Sequence, residues 1–163
     1  MQERWKRSET LLAHYQISLD DIAQLVFDLQ LPYIPQITLE MCRESVRAVL
    51  AKREVFNAIM VGIELDEQAA QKTMKNKQLE RIILEDEPLF GIDEVLGFGI
   101  CNLYGSIALT NFGFLDKTKP GIIGKLNDKA NGCHAFMDDL IGAIAASAAS
   151  RFAHRNDNER EGE

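Results

Sequence analysis

The sequence lacks the features by which several classes of protein are recognised. Its three cysteines, Cys42, Cys101 and Cys133, form no C-x-x-C pair, which excludes a disulfide framework or an ordinary zinc site and fits a reducing compartment. It has no basic excess, with 18 Lys and Arg against 25 Asp and Glu, so nucleic acid is not an expected partner. No apolar run follows the charged first residues, so we expect no signal peptide and a cytoplasmic location.

Charge is also missing from one internal segment, residues 95–115, whose 21 residues are long enough to cross a bilayer. The segment contains two asparagines and four glycines, and an unpaired amide costs free energy in hydrocarbon. We therefore expect a buried core segment rather than a membrane helix.

What the sequence does contain is the pattern of an all-α protein. Its 163 residues are 46% hydrophobic, which is enough for one sizeable core. Ser18 precedes an acidic first turn and then apolar residues at helical spacing, as at a helix start. Thr38 precedes a similar pattern that runs to Val61 without Pro or Gly. We expect one long helix or two nearly collinear helices there, then a polar stretch over 66–77 and a short helix at 79–84.

The second half of the chain is rich in small residues. The run at 142–150 would let helix backbones approach closely, in a core or between subunits, so we expect a helix over 139–150 and a homo-oligomer. No linker divides the chain. We expect one compact helical domain over residues 1–155, with amphipathic N-terminal helices packed on a buried Gly/Ala-rich half, and a frayed charged tail over 156–163.

Two acidic pairs, Asp93-Glu94 and Asp138-Asp139, adjoin apolar segments. A lone carboxylate in such surroundings is costly unless it is paired or binds a cation. Two helices that present carboxylates to one space could hold Mg²⁺, which takes oxygen ligands. Alternatively, both pairs lie in first helical turns, where the helix dipole favours acidic residues. From spacing alone the second interpretation is the stronger.

A third candidate is the segment from Asp116 to Gly121. Lys119 could bind a phosphate beside a carboxylate that binds metal or positions the nucleophile. Equally, the segment could be a solvated turn closed by Pro120 and Gly121. Taken by itself, the turn is the simpler interpretation.

In their order along the chain, three segments resemble motifs of the phosphatidylglycerophosphatase A family. Residues 91–97 (GIDEVLG) resemble its D-E-x-x-G motif, residues 112–120 (FGFLDKTKP) its F-R-x-F-D-x-x-K-P block, and residues 136–143 (FMDDLIGA) its I-M-x-D-D-x-x-A-G block. The chain looks most like the soluble Gram-positive branch, which carries names such as low-temperature-requirement protein C. It departs from the family pattern at Gly113, where the family has Arg.

The resemblance implies an all-α, Mg²⁺-dependent phosphatase. Its reaction would convert phosphatidylglycerophosphate to phosphatidylglycerol and inorganic phosphate in phospholipid biosynthesis. The candidate residues are the metal ligands Glu94, Asp138 and Asp139, the catalytic residues Asp116, Lys119 and Asp93, and the substrate-binding residues Lys119, Lys117 and Asn127. Asp116 would ligate metal or act as base or nucleophile. The expected partner is a phosphorylated lipid or a small phosphomonoester, with peripheral contact to the inner face of the membrane.

A function of a different class stays open beside the enzyme. The chain could be a non-catalytic helical module whose acidic pocket binds a cation or a phosphorylated ligand for regulation. Gly113 at the position of the family's Arg favours this alternative. Turnover of a phosphomonoester with and without Mg²⁺ distinguishes the two.

Overall fold

Every regular element of the computed structural model is helical over residues 2–160, the part of the chain that it describes, with side chains described for residues 3–153. The α-helices of this part are, in chain order, α1 (Gln2–Ala13), α2 (Leu19–Gln30), α3 (Leu39–Leu50), α4 (Arg53–Ala70), α5 (Lys77–Glu85), α6 (Ile92–Cys101), α7 (Ser106–Thr118), α8 (Ile122–Asn127) and α9 (Met137–Arg160). A short 3-10 turn at Lys129–Asn131 joins α8 to α9. The predicted all-α fold is confirmed.

Helix α9 forms the centre of the fold. It packs against α2, α3, α4, α6, α7 and α8, and every residue from 135 to 150 is buried. Because most side chains in this stretch are small, the surrounding helices can approach α9 on all sides. The small-residue run therefore forms a buried seam inside the chain itself. A homo-oligomer, which stays a prediction, would use another surface.

Both predicted helix starts in the N-terminal half are confirmed. The Ser18 hydroxyl accepts from the Asp21 amide at 3.1 Å, and the Asp21 carboxylate accepts from the Ser18 amide at 2.8 Å, which makes a reciprocal capping box. The hydroxyl of Thr38 accepts from the Met41 amide at 3.2 Å. These local signals act within one turn, so they can be recognised in the sequence alone.

In the middle of the chain the structure selects between the predicted alternatives and corrects one boundary. The pattern after Thr38, predicted to form one helix or two, forms two, since α3 ends at Leu50 and α4 begins at Arg53. Helix α4 then continues to Ala70, so residues 66–70 are helical and the predicted polar stretch begins only after them. The reason is that Asp66, polar by type, is buried and hydrogen-bonded in the core.

The C-terminal tail also begins as helix. The backbone of α9 stays helical through Arg160, so residues 156–160 of the predicted tail continue that helix. Residues 161–163 lie outside the described residues.

The uncharged segment at 95–115 is divided between α6 and α7 by a turn at Gly105. Both helices pack on α9, but Val95, Phe98 and Phe114 are exposed on their outer faces, so the prediction of a buried core segment is wrong for these outer faces. Within residues 2–160, none of the helices combines the length and the apolar character needed to cross a bilayer.

Gly97 controls how closely α6 approaches α9. A Cβ atom at this position would lie 2.9 Å from Cζ of Phe112 and 3.5 Å from the main-chain oxygen of Asp139. The Phe112 ring is only 2% exposed and makes an edge-to-face contact with Phe98. The glycine of the D-E-x-x-G motif is thus explained by packing beside the start of α9.

We predict that Gly97→Ala lowers the free energy of unfolding by about 1–3 kcal/mol, because Phe112 must move within a filled core. Gly99→Ala is the matched control on the same helix. Nothing lies within 4 Å of its Cβ position, so alanine should raise the free energy of unfolding by about 0.5–1 kcal/mol. Urea denaturation measures both changes, and equal effects of the two substitutions would contradict the packing role of Gly97.

Candidate active site

A cavity of about 250 Å³ lies where the first turns of α6 and α9 meet the end of α7. Seven of its twelve lining residues are acidic and one is basic. The acidic residues are Asp86, Glu87, Asp93, Glu94, Asp116, Asp138 and Asp139, and the basic residue is Lys119. The three motif segments, which are well separated in sequence, therefore meet in one strongly acidic space.

The first acidic pair is placed by the start of α6. Gly91 precedes this helix with φ of 78°, a conformation that favours glycine. Asp93 is buried, and its Oδ1 accepts from the Glu94 amide at 3.0 Å. Glu94 lies on the exposed side of the cavity. Burial, followed by repulsion from Asp116 and Asp93, raises the pKa of Glu94.

Lys119 supplies the positive charge of the cavity. It ends α7 in the left-handed conformation with φ of 46°, which is uncommon for a residue other than glycine. Its Nζ donates to Asp116 Oδ1 at 2.7 Å and to Asp138 Oδ2 at 3.0 Å. Although burial opposes its charge, these two ion pairs raise the pKa of Lys119. Lys119 is therefore a cation that joins the end of α7 to the start of α9.

The second acidic pair lies in the first turn of α9 and is almost completely buried, Asp138 being 3% and Asp139 4% exposed. Asp138 Oδ1 accepts from the Asp139 amide at 2.8 Å. Asp139 Oδ1 has no hydrogen-bond donor among the described side chains and lies 4.0 Å from the Lys119 Nζ. Burial raises the pKa of Asp138 despite its ion pair with Lys119. Burial, then the carboxylates of Asp138 and Asp93, raise the pKa of Asp139. A buried acceptor without a donor is a position where a cation would be stabilising.

Asp86 belongs to the cavity but was not among the residues predicted from the sequence. It ends α5 in the left-handed conformation with φ of 47°, and burial and the charge of Asp93 raise its pKa. In the sequence it stands between Glu85 and Glu87, where an acidic residue is unremarkable. The sequence signal at this position is the end of a helix shortly before Pro88. This signal does not indicate which of the neighbouring carboxylates faces the cavity.

Two predicted substrate-binding residues lie apart from this group. Lys117 and Asn127 are exposed, on α7 and at the end of α8, and neither lines the cavity. Gly113 is also exposed on α7, with open space at its Cβ position. The structure thus brings together six of the predicted residues: Asp93, Glu94, Asp116, Lys119, Asp138 and Asp139.

The donor set of the cavity suits a hard divalent cation. Among the side chains of residues 3–153, no three His, Cys, Asp or Glu are gathered closely enough to hold a metal ion as they stand. Mg²⁺, however, retains several waters and needs only one or two protein carboxylates beside substrate phosphate. The lining donors are oxygens, and Asp139 Oδ1 is a buried acceptor without a partner. Asp139, with Glu94 or Asp138, would hold the ion.

A larger cavity of about 550 Å³ lies elsewhere, lined in part by His14, Lys125 and His134. It contains none of the residues predicted to form a site. The chemistry that the motifs suggest is confined to the smaller, acidic cavity.

Comparison with known proteins identifies the family. The model of the family described as phosphatidylglycerophosphatase A matches residues 10–154. The chain belongs to the phosphatidylglycerophosphatase A family. The resemblance drawn from the three motifs is therefore confirmed.

Relatives of this phosphatidylglycerophosphatase A family member share nearly its whole length. The uncharacterized protein YutG of Bacillus subtilis is 54% identical over 140 residues, which are 85% of this chain and 84% of YutG. The low temperature requirement C protein of Listeria monocytogenes is 46% identical with a TM-score of 0.89, over 93% of this chain and 96% of that one. A protein of unknown function from Bacillus stearothermophilus is 47% identical with a TM-score of 0.89, over 93% and 94% of the two chains.

We predict that the protein in EDTA loses stability as the pH rises from about 4 to about 7. Burial raises the pKa of Asp66 to about 7 and also raises that of Asp139, whereas aspartates of the unfolded chain titrate near 4. The folded state therefore binds more protons in this window, so its free energy of unfolding falls with pH.

Melting temperatures between pH 4 and 8 measure this slope. Asp139→Asn should flatten it, because one titrating group is removed. Glu54→Gln, which changes an exposed acid in the first turn of α4, should leave it unchanged. A wild-type protein that gained stability over this range would contradict the prediction.

Proposed function

We propose that this protein is a Mg²⁺-dependent phosphomonoesterase whose substrate is phosphatidylglycerophosphate. The observation that carries the proposal is the meeting of Lys119 with Asp116 and Asp138 in one acidic cavity, beside the unpartnered oxygen of Asp139. Membership of the phosphatidylglycerophosphatase A family supports a phosphatase and this substrate.

The reaction is the hydrolysis of one phosphate ester. The bond between phosphorus and the terminal glycerol oxygen breaks, a bond forms between phosphorus and the oxygen of water, and a proton from that water ends on the glycerol oxygen. Mg²⁺ at Asp139 would polarise a phosphoryl oxygen and offset the repulsion between the phosphate and the surrounding carboxylates. The protein must bind the phosphate among the carboxylates of the cavity. It must also transfer the proton from the attacking water to the glycerol oxygen.

Lys119 is suited to bind the phosphate. An ammonium group has three N–H donors, and within the described part of the chain Asp116 and Asp138 accept two of them. The third can donate to a phosphate oxygen. Because the two ion pairs fix the position of Nζ, its charge lies next to Asp139, where the negative charge of a phosphate would be hardest to accommodate.

Asp116 is suited to the chemical step. Its side chain is 31% exposed, whereas those of Asp138 and Asp139 are 4% exposed, so of these three it keeps the most contact with water. It would either accept a proton from the attacking water or attack phosphorus itself, in which case a water would then cleave the aspartyl phosphate to release phosphate and restore the carboxylate. Acid quenching during turnover separates the two roles, because only nucleophilic attack leaves phosphate bound to Asp116.

We predict that the protein releases phosphate from phosphatidylglycerophosphate in mixed micelles with Mg²⁺ and not with EDTA. Lys119→Met should lower kcat roughly 10²–10³-fold, because a charge that stabilises the transition state is lost. Glu54→Gln, outside the cavity, should retain wild-type kcat. Soluble phosphomonoesters assayed in parallel test whether the lipid is required.

The decisive negative result is the absence of turnover of any phosphomonoester under metal-replete conditions. If Mg²⁺ still bound in the cavity, that result would favour the regulatory module over the enzyme. If neither Mg²⁺ nor a phosphorylated ligand bound and no turnover occurred, both functions would be excluded.

We predict that the effect of Asp139→Asn on stability depends on Mg²⁺. Without metal the substitution should be neutral or stabilising, because it removes one of several mutually repelling buried carboxylates. With Mg²⁺ at a hundredfold excess over its dissociation constant, the wild type should gain about 2.7 kcal/mol by linkage. The variant should lose most of this gain.

Melting curves of both proteins with EDTA and with Mg²⁺ make the measurement, with Glu54→Gln as the control for an acidic residue in a first helical turn. If Asp139 served only the helix dipole, Asn would cost roughly 0.3–1 kcal/mol with or without metal. A difference that did not depend on metal would therefore exclude Asp139 as a ligand.

A further inference from the structure

Asp66 is a buried carboxylate on α4 that does not line the acidic cavity. It is 1% exposed. Its Oδ1 accepts from the Phe136 amide at 3.1 Å, and its Oδ2 accepts from the Met137 amide at 3.1 Å and from the Phe136 amide at 3.3 Å. Both oxygens of a core carboxylate are thus bound to the first amides of α9.

The residue directly before helix α9 supplies no side-chain cap. A helix usually begins after a Ser, Thr, Asp or Asn whose side chain accepts from the first free amides. Here the residues before Met137 are Ala135 and Phe136, whose side chains cannot accept a hydrogen bond. Asp66, about seventy positions earlier in the chain, does so instead.

The close approach of α4 to α9 makes this contact possible. Gly62 lies one turn before Asp66, on the same face of α4. A Cβ atom at Gly62 would lie 3.3 Å from Cβ of Phe136 and would also collide with the Leu140 side chain. The absence of a side chain at Gly62 lets the Asp66 carboxylate reach the N-terminal end of α9.

The two amides that Asp66 binds come directly before the second acidic pair. Asp138 follows Met137, and its own amide donates to the His134 carbonyl at 3.2 Å. Any shift of the amides at 136 and 137 would therefore move the Asp138 and Asp139 carboxylates relative to Lys119 and to α6. The position of the acidic pair depends on α4 as well as on α9.

We propose that Asp66 is a positioning residue for the acidic cavity, since it fixes the first turn of α9 so that Asp138 and Asp139 can bind a divalent cation. The expected effect of Asp66 on kcat rests on the proposed phosphatase function. The expected effect of Asp66 on the conformation of the first turn of α9 does not depend on that function.

The test compares Asp66→Ala, which removes the acceptor, with Asp66→Asn, which keeps an oxygen acceptor and loses the charge. Ser45→Ala is the matched control. The Ser45 hydroxyl is also buried and donates to the main chain of α9, at the Ala148 carbonyl 2.8 Å away. For each protein, calorimetry measures Mg²⁺ binding, hydrogen exchange measures protection of the amides at 136–140, and a phosphate-release assay measures kcat.

Asp66→Ala should weaken Mg²⁺ binding about 10–100-fold, as does loss of a group that orients metal ligands, and it should speed amide exchange at 136–140. Asp66→Asn should restore part of both properties, because its one oxygen can still accept from the two amides whereas its NH₂ group cannot accept. Ser45→Ala should lower the melting temperature without changing either. If Asp66→Ala does not fold, Asp66→Ser replaces it. The serine hydroxyl is too short to reach both amides, so Mg²⁺ binding should again be weaker and exchange at 136–140 faster.

Wild-type Mg²⁺ affinity and wild-type exchange at 136–140 in Asp66→Ala would overturn the inference. Failure of the proposed function is a separate result. If the wild type bound no Mg²⁺ and released no phosphate, the phosphatase would be excluded, while faster exchange at 136–140 in Asp66→Ala but not in Ser45→Ala would still support Asp66 as the residue that positions this turn.

Discussion

The burial of two consecutive carboxylates, Asp138 and Asp139, at the start of the central helix is the constraint on which the site depends. Removing a carboxylate from water costs several kcal/mol unless an opposite charge or hydrogen bonds compensate. Lys119 compensates Asp138 directly, but it lies 4.0 Å from Asp139 and is shared with Asp116. Among the described side chains, the cavity therefore has more negative charge than Lys119 neutralises. That imbalance is what a divalent ion would relieve.

The packing of α9 holds the buried carboxylates of Asp138 and Asp139 in position. The helix is buried on all sides from residue 135 to residue 150, so its first turn cannot drift toward solvent. Gly97 lets α6 approach the helix from one side, and Gly62 lets α4 approach it from another. Asp66 binds the first amides, and Lys119 binds the first acidic side chain. The fold thus holds the acidic pair rigidly, as a metal or phosphate site requires.

The sequence predicted those parts of the structure that depend on local signals. Ser18 and Thr38 indicated helix starts because a cap acts within one turn. The two acidic pairs do lie in first helical turns, as the helix-dipole interpretation predicted. That location does not exclude a shared site, since both pairs line the same cavity. The roles of Asp86 and Asp66 could not be predicted from the sequence. Asp86 lines the cavity because it ends α5 in the left-handed conformation. Asp66 contacts an amide about seventy positions away in the chain, which no local pattern indicates. Lys117 and Asn127 were assigned to substrate binding on the family resemblance, and a resemblance in sequence does not determine the direction in which a side chain points.

The most direct test for a divalent cation in the cavity is an anomalous difference map from crystals of the protein soaked in Mn²⁺, which shares with Mg²⁺ a preference for carboxylate and water ligands. We expect a peak in the acidic cavity, coordinated by the Asp139 carboxylate. Crystals of Asp139→Asn should lose that peak under the same soak. A map without a peak in the cavity, or with peaks only at exposed acidic residues elsewhere, would contradict the claim that this cluster of carboxylates is a divalent-cation site.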